Sequence, residues 1–390
     1  MLTIDILNLS AAIAASVYYA IILYYFIGLG RLRPGKNRTL HTISVLIPAR
    51  NEEKNIGRCL DSVLQQNYPE DLYQIHVIDD HSPDRTVEIV RSYREIYPGR
   101  IHLHRLRDFA ADDKRIAYKK AAIQLGIENS RSDLIVTTDA DCTVQPTWLT
   151  AINRHFSEDV GMVCGLVTFG KDTEHSLFHR LQSLEFLGLV SAAAGSMANG
   201  FPATANGANL AYRRTAFTQV NGFTGIDDLP SGDDDLLMHK IHRTGKWKIR
   251  FTAEKTGIVT TQPEPTLKAF FNQRTRWASK STHYGNRWIT AILSLIYLFY
   301  FYLTAGLIYF IFFDPHYLLP PVLFLGKWLI EFLILQKACA LTGRKDLLKY
   351  FPAAQFFQIL YILIAGFRGV FGKYSWKDRV TENRLGKLGK

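Results

Sequence analysis

Two stretches of this chain carry no charged side chain: Ile6 to Leu29, 24 residues, and Trp288 to Phe313, 26 residues. At 1.5 Å per residue, each is long enough to cross a hydrocarbon core of about 30 Å as a helix. Both are therefore expected to span a membrane. The first run exceeds the usual apolar length of a cleaved leader, and Asp5 stands where a basic flank would be needed, so a retained anchor is expected. Arg31, Arg33, Lys36 and Arg38 follow it closely. The positive-inside rule then places that flank, and everything from about Thr42 to His283, on the cytoplasmic side. Two further apolar segments, Tyr317 to Gln336 and Phe351 to Phe367, lie near the end of the chain. The first of these contains Lys327 and Glu331, an i,i+4 pair able to neutralise itself inside a helix bundle. Four crossings from an outside N-terminus leave the tail outside, whereas the basic tail favours the cytoplasm; one re-entrant or interfacial segment would remove the conflict.

The formal net charge of +11 belongs largely to these flanks, where basic residues meet anionic head groups, and nucleic-acid binding is not expected. Cys59, Cys142, Cys164 and Cys339 have neither C-x-x-C spacing nor the Cys/His spacing of a zinc site and read as reduced structural thiols. The stretch from Pro265 to Trp288 is aromatic and basic, as a helix lying in the membrane interface would be.

Between Thr42 and Phe169 two periods alternate. Strand-like runs at Ile43 to Ala49, Tyr73 to Asp79, "IHLHRL", "DLIVTTD" and "GMVCGLVTF" are separated by helical patterns. Asn51 is a candidate N-cap for the first helix; Ser82, with Pro83 at the first helical position, is one for the second. Helices are also expected near Lys114 to Glu128 and Pro146 to Phe156. Such alternation implies an α/β, largely parallel sheet covered on both faces, and sheets of this kind bind ligands outside the carboxyl ends of their strands. Pro48 to Glu53, the pair Asp79 and Asp80, and the pair Asp139 and Asp141 should then converge on one edge of the sheet.

A D-x-D arises readily by chance, and Asp233 to Asp235 form a second run of acids. In extended chain, residues i and i+2 share a face, so Asp139 and Asp141 would present like charges in one direction. A divalent ion removes that conflict. Mg²⁺ or Mn²⁺ is held by one or two carboxylates and completes its shell with water and phosphate oxygens, which makes a nucleoside diphosphate the natural co-ligand. "GRLRPGKN" fits G-x-x-x-x-G-K but lacks the Ser or Thr and the strand and helix a phosphate loop requires, so it is set aside.

Six motifs, "VLIPARNEEKNIGRCLDSVLQQNYP", "VIDDHSPDRT", "DLIVTTDADCTV", "NGANLAYRR", "SGDDDLL" and "QRTRW", stand in an order and spacing that resemble the membrane-embedded family-2 glycosyltransferases. That group includes cellulose, chitin, hyaluronan and poly-N-acetylglucosamine synthases and ceramide glucosyltransferases. The resemblance covers about Thr42 to Trp277. It implies a GT-A fold, that is, a doubly wound α/β nucleotide-diphospho-sugar transferase domain, with N- and C-terminal transmembrane helices.

Residue by residue, the resemblance implies that Pro48, Ala49, Arg50 and Glu52, with Asp79 and Asp80, hold the uracil and ribose of a UDP-sugar. Lys119 matches the lysine near the nucleotide, and Lys120 does so with a one-residue shift. Asp139 would face the donor and, with Asp141, hold Mg²⁺ or Mn²⁺. Asn206 and Gly207 fall in the donor-sugar and acceptor loop. Asp234 matches the catalytic base and Asp233 its acidic neighbour, with Asp235 leaving the register open by one. An acceptor hydroxyl must lose a proton as it attacks the anomeric carbon, and a carboxylate can take it; an acidic helix N-terminus favoured by the dipole would look the same. Gln273, Arg276 and Trp277 match Q-x-x-R-W. Gln273 and Arg276 share a helical face, and a guanidinium suits a leaving diphosphate.

The expected organisation is an anchor at 1–30, a cytosolic GT-A domain at 40–260, interfacial helices at 261–287, membrane helices at 288–372 and a basic tail at 373–390. The expected activity is membrane-bound, inverting transfer of a hexose from a nucleotide-sugar donor to a lipid acceptor in the bilayer. The alternative is a processive synthase acting on a growing glycan. A transporter or channel with a non-catalytic nucleotide-binding domain is the reading from another class; Asp139, Asp141, Asp234 and Arg276 together argue against it.

Overall fold

The computed structural model describes residues 2–109, 117–227, 229, 231–280, 287–376 and 379–382. It opens with α1 (Leu2–Arg31), followed by β1 (Ile43–Ala49), α2 (Ile56–Leu64), β2 (Tyr73–Asp79), α3 (Thr86–Ile96), β3 (Ile101–Arg105) and α4 (Tyr118–Glu128). Next come β4 (Leu134–Thr137), β5 (Thr143–Val144), α5 (Trp148–Asn153), β6 (Val160–Gly165), β7 (Val167–Phe169) and α6 (Leu177–Ala198). Then β8 (Leu210–Arg213), α7 (Arg214–Gln219), α8 (Asp235–Arg243), β9 (Lys248–Thr252), β10 (Val259–Thr261) and α9 (Leu267–Ser279) follow. The chain continues through α10 (Arg287–Phe312), α11 (Leu319–Thr342) and α12 (Phe351–Phe371) to the hairpin β11 (Lys373–Trp376) and β12 (Arg379–Glu382).

The chain divides into two compact units. One comprises Arg31–Thr173 and Ser196–Gln262; the other Met1–Gly30, Glu174–Gly195 and Pro263–Lys390. In the first, seven strands lie in the order β3-β2-β1-β4-β8-β6-β9. β1 pairs in parallel with β2 and β4, β2 with β3, and β6 with β9. β1, β4 and β6 are almost entirely buried, so they read as continuous apolar runs rather than alternating ones. The sheet departs from the parallel pattern at β8, which is antiparallel to both β4 and β6. β8 enters from the turn at Gly207–Asn209, on the edge where β4 ends, and so it must run the other way.

Several boundaries differ from the expected ones. The first helix begins at Ile56, with Asn55 at its N-cap position making no side-chain cap bond, while Asn51 takes a positive φ of 55° in the preceding turn. The next begins at Thr86, so Ser82 and Pro83 lie in the loop ahead of it. The helix expected near Lys114 begins at Tyr118, with Ala117 at its N-cap position; residues 110–116 lie outside the described residues. "GMVCGLVTF" is two strands, because the chain leaves the main sheet at Leu166 and β7 joins a small sheet in the order β5-β10-β7. The G-x-x-x-x-G-K segment has no strand before it, and Gly35 is packed against the backbone of Arg154.

The second unit holds four helices long and apolar enough to cross a membrane: Asp5–Arg31, Trp288–Phe312, Leu319–Thr342 and Lys345–Phe371. Ala15 and Tyr18 of α1 pack with Phe299, Tyr300 and Leu303 of α10 and Ile359 of α12. Beside this apolar cluster, Lys327 Nζ lies 3.0 Å from the Glu331 carboxylate, as the i,i+4 spacing suggested, and also donates to Gln355 Oε1 at 2.7 Å and Gln358 Oε1 at 3.0 Å. Tyr18 and Tyr300 donate to the same glutamate. A charge pair in a bundle of this kind persists only when its remaining polar atoms are satisfied, and three further helices satisfy them here.

Candidate active site

The sheet brings the first two predicted clusters together at the carboxyl ends of β1 and β2. Pro48 is in register with Ile78 and Ala49 with Asp79, and the Asp80 N–H donates to the Ala49 carbonyl at 2.8 Å. Arg50 crosses over this junction, donating to the Asp80 carbonyl at 2.8 Å with its Nη1 3.8 Å from Asp80 Oδ1. His81 Nδ1 lies 3.0 Å from that same Oδ1. The Glu52 N–H donates to Thr86 Oγ1 at 2.8 Å, which ties the β1 loop to the start of α3. Asp79 is buried. One carboxylate oxygen accepts from the Ser82 N–H at 3.1 Å, and the other has no partner among the described residues. Burial pushes its pKa above the usual carboxylate value, offset by the hydrogen bonds from Ser82. A buried acceptor without a donor at the mouth of a parallel sheet is a place where a ligand N–H or O–H is satisfied.

The Asp139/Asp141 pair is not held in extended chain. β4 stops at Thr137, and Asp139 to Cys142 form a turn closed by the Cys142 N–H on the Asp139 carbonyl at 3.0 Å. The two side chains are therefore placed by turn geometry, and they have different partners. Lys119 Nζ lies 2.8 Å from Asp139 Oδ1, whereas Asp141 Oδ2 accepts from Thr261 Oγ1 at 3.3 Å.

Lys119 joins this turn to the second acidic run, because its Nζ is also 3.2 Å from Asp233 Oδ2. Its pKa is moved by two opposing causes: burial lowers it and the nearby Asp139 and Asp233 raise it, with a net shift upward, so the lysine is a fixed cation. Asp234 caps α8: its Oδ1 accepts from the Asp235 N–H at 2.7 Å and its Oδ2 from the Gly207 N–H at 3.3 Å. Asp235 is 1% exposed and accepts from Thr204 Oγ1 at 2.9 Å and the Ala205 N–H at 2.6 Å. Of the three consecutive acids, Asp233 therefore meets the lysine, Asp234 meets the helix terminus and the glycine loop, and Asp235 is built into the structure beneath them.

The Asn206–Leu210 loop closes the cluster. Asn206 Oδ1 accepts from the Ala208 N–H at 3.0 Å, and Thr137 Oγ1 donates to the Gly207 carbonyl at 2.7 Å. A Cβ at Gly207 would sit 3.0 Å from Asp233 Oδ2 and 3.3 Å from Lys119 Nζ, so a larger residue there would require the tips of these side chains to shift. Asn209, not singled out by its sequence, is the support beneath. It is 1% exposed, donates to the carbonyls of Leu166 and Gly257 at 2.9 Å each, and accepts from Trp148 Nε1 at 2.9 Å. Its position inside the "NGANL" motif was the available signal.

Among the described residues, no group of three or more His, Cys, Asp or Glu side chains is arranged to hold a metal ion. The described residues thus form no all-protein cage. They fit an ion of the Mg²⁺ or Mn²⁺ kind, which needs only one or two carboxylates and takes its remaining oxygens from water and phosphate. Asp141, part-exposed on the turn with Asp139 beside it, supplies hard oxygen donors of the right type.

Gln273, Arg276 and Trp277 lie on α9, in the other compact unit. There, Thr266 caps the helix by accepting from the Ala269 N–H at 3.2 Å. Gln273 Nε2 donates to Glu264 Oε1 at 2.7 Å. The arginine at the centre of this unit is Arg274, which sequence reading passed over. It is 3% exposed, forms an ion pair with Glu185 of α6, and lies over the Trp277 ring at 4.2 Å and the Phe270 ring at 4.5 Å. Tyr361 of α12 donates to the other oxygen of Glu185 at 2.6 Å.

Residues 44–220 match the family described as Glycosyl transferase family 2, and residues 134–367 match Glycosyl transferase family group 2. A probable glycosyltransferase of Bacillus subtilis, YdaM, is 29% identical over 288 residues; the match covers 70% of this chain and 64% of that protein. A beta-monoglucosyldiacylglycerol synthase of Synechocystis is 23% identical over 254 residues, covering 60% of this chain and 47% of that protein. The chain thus spans less than two thirds of the length of these relatives. Among solved structures, a mannosyltransferase of Pyrobaculum calidifontis, in complex with GDP-Man and Mn²⁺, superposes with a TM-score of 0.57 at 16% identity, covering 93% of this chain and 98% of that one, a likeness of fold. With one family match extending over 134–367, more than half of the sequence, on a GT-A-like sheet, the chain belongs to the family-2 glycosyltransferases.

Proposed function

We propose that the chain is a membrane-bound, inverting hexosyltransferase that moves a sugar from a nucleotide-sugar donor, a UDP-hexose, to a lipid acceptor in the bilayer. The observation that carries this reading is the cluster in which Lys119 joins Asp139 to Asp233, with Asp234 adjacent at the head of α8. It puts an acidic turn suited to a diphosphate-bound cation next to a carboxylate suited to a hydroxyl proton. The four apolar helices and the lipid-acceptor names of relatives such as the diacylglycerol enzyme support the choice of acceptor. The basic residues after α1 support a cytoplasmic catalytic unit.

In this reading the ends of β1 and β2 bind the nucleoside, with Asp79 offering its buried acceptor oxygen and Arg50 with Asp80 shaping the pocket rim. Asp141, assisted by Asp139, holds Mg²⁺ or Mn²⁺, which would supply positive charge to the departing diphosphate. Asp234 accepts the acceptor's proton as its oxygen attacks the anomeric carbon and the bond to the diphosphate breaks. Asp233, tied to Lys119, keeps the neighbouring negative charge compensated. Arg276, sharing a helical face with Gln273 and followed by Trp277, keeps the diphosphate role that the motif implies.

The test is incubation of the purified protein in detergent with a panel of UDP-sugars, Mn²⁺ or Mg²⁺ and membrane lipids, with products identified by mass spectrometry. A single hexose on a lipid is expected. A ladder of polymer would overturn the lipid acceptor in favour of processive synthesis. Failure to turn over or hydrolyse any donor, together with unchanged UDP binding in Asp141→Asn, would overturn the enzyme reading itself.

A further inference from the structure

Lys120 stands one residue beyond the lysine of the carboxylate cluster and is occupied differently. Its side chain is 2% exposed, and its Nζ donates to the carbonyl oxygens of Ile226 at 2.5 Å, Leu229 at 2.8 Å and Ser231 at 2.9 Å. An ammonium has three hydrogens, and these carbonyls match them in number. All three belong to the segment between α7 and α8, which among its described residues forms neither helix nor strand. The segment turns through positive φ at Asn221, Gly222, Gly225 and Gly232, the last immediately before Asp233. Lys240 of α8 donates to two more of its carbonyls, Gly222 at 2.6 Å and Thr224 at 2.8 Å. Backbone carbonyls that a strand or helix would have paired are here gathered by two ammonium groups.

We propose that Lys120 is a positioning residue for the acceptor-activating carboxylates: by holding the carbonyls up to Ser231, it fixes where Asp233 and Asp234 enter the cluster. The inference rests on the reading of Asp234 as the proton acceptor. Lys119 and Lys120 are consecutive on α4, and α4 packs closely on the sheet, with Gly126 against Leu46 and Ile78. A single helix thereby holds both the carboxylates and the loop that delivers them. Neutralising Lys120 frees the loop end without touching the nucleoside-binding ends of β1 and β2. Since a displacement of about 1 Å in catalytic geometry lowers rate by as much as 100-fold, the effect should fall on kcat and spare donor affinity.

The experiment compares Lys120→Met, Lys120→Gln and Asp234→Asn in the full-length protein in detergent. It measures transfer kcat, UDP affinity by calorimetry with Mn²⁺, and amide hydrogen exchange over 221–235. The expected result is a 10- to 100-fold fall in kcat for Lys120→Met, on the order set by that displacement. UDP affinity should stay within about twofold, and exchange should rise at 226–234. Lys120→Gln, which keeps two of the three donors, should fall between Met and wild type, and it carries the test if Lys120→Met does not fold. Wild-type kcat in the folded Lys120 variants, unchanged exchange over 226–234, or a loss of UDP affinity matching the loss of kcat would each overturn the positioning role while the site reading stands. Wild-type transfer by Asp234→Asn would instead overturn the site reading, and this inference with it.

Discussion

Replacing Lys119 by Met keeps the length and apolar stem of the side chain and removes the cation between two carboxylates. The cost follows from the burial of each partner. Asp233 is 9% exposed, so losing its charged hydrogen bond at 3.2 Å costs about 1.5–3 kcal/mol. Asp139 is 38% exposed, and solvent screening limits its share to roughly 0.2–1 kcal/mol. The total, about 2–4 kcal/mol, corresponds to a fall in Tm of roughly 5–15 °C for a unit of 150–250 residues. Because the folded-state pKa of Lys119 is raised, the pair's contribution is fully present below the unfolded lysine value near 10.4 and is lost only as pH rises through the folded value. The deficit of the variant should therefore be constant between about pH 6 and 9. Thermal unfolding by scanning fluorimetry in detergent measures it. Removing the internal cation should also make the site a better host for an external one, so Mn²⁺ with UDP should raise the Tm of the variant more than that of the wild type. A variant unfolding together with the wild type, or an equal Mn²⁺ shift in both, would refute the reasoning.

The neighbouring acids should separate by assay: Asp235→Ala, which strands Thr204 Oγ1 and the Ala205 N–H, should cost about 2–4 kcal/mol in unfolding measurements. Asp234→Asn should unfold like the wild type while losing roughly 10²–10⁴ in transfer rate. Arg274→Met should destabilise the helical unit by about 3–5 kcal/mol by leaving Glu185 without its cation, and adding Glu185→Gln should recover part of that loss in detergent thermal-stability assays. The buried His76, on β2 beside His102 and His104, has its pKa pushed down to about 3 by burial, and by the neighbouring histidines and Arg214. A histidine held neutral in the fold loses stability as pH falls below its unfolded value, so urea midpoints should decline from about pH 6.5 towards 3, by up to about 1.4 kcal/mol per pH unit. His76→Gln should flatten that slope.

The parallel core was readable because its strands are buried on both faces: Ile43–Ala49 and Tyr73–Asp79 have the expected bounds, and both end where the acidic and loop clusters were expected. The limits of local pattern appear where a partner distant in sequence decides. Asn51 has the chemistry of a cap, yet the loop it occupies is shaped by Ser82, whose hydroxyl accepts the Asn51 N–H at 3.1 Å. Two adjacent lysines cannot be told apart by type. Their division of labour depends on Asp233 and on carbonyls 106 to 111 residues away, which periodicity does not report. Arg276 drew notice through its motif, while Arg274, two residues earlier, became the buried arginine because Glu185 waits for it on another helix. The direction of β8 escaped for a similar reason, since a strand's residues specify its burial but not which end enters the sheet first.

The helical unit has one consequence for how the protein is made. Tyr18 is synthesised early, but Glu331, the acceptor of its hydroxyl, is 313 residues further along. With domains forming in order as the chain emerges, α1 must wait through the synthesis of the whole α/β unit before its polar partner exists. Truncations anywhere before α11 should thus yield a first helix whose buried hydroxyl lacks the glutamate that meets it in the finished bundle.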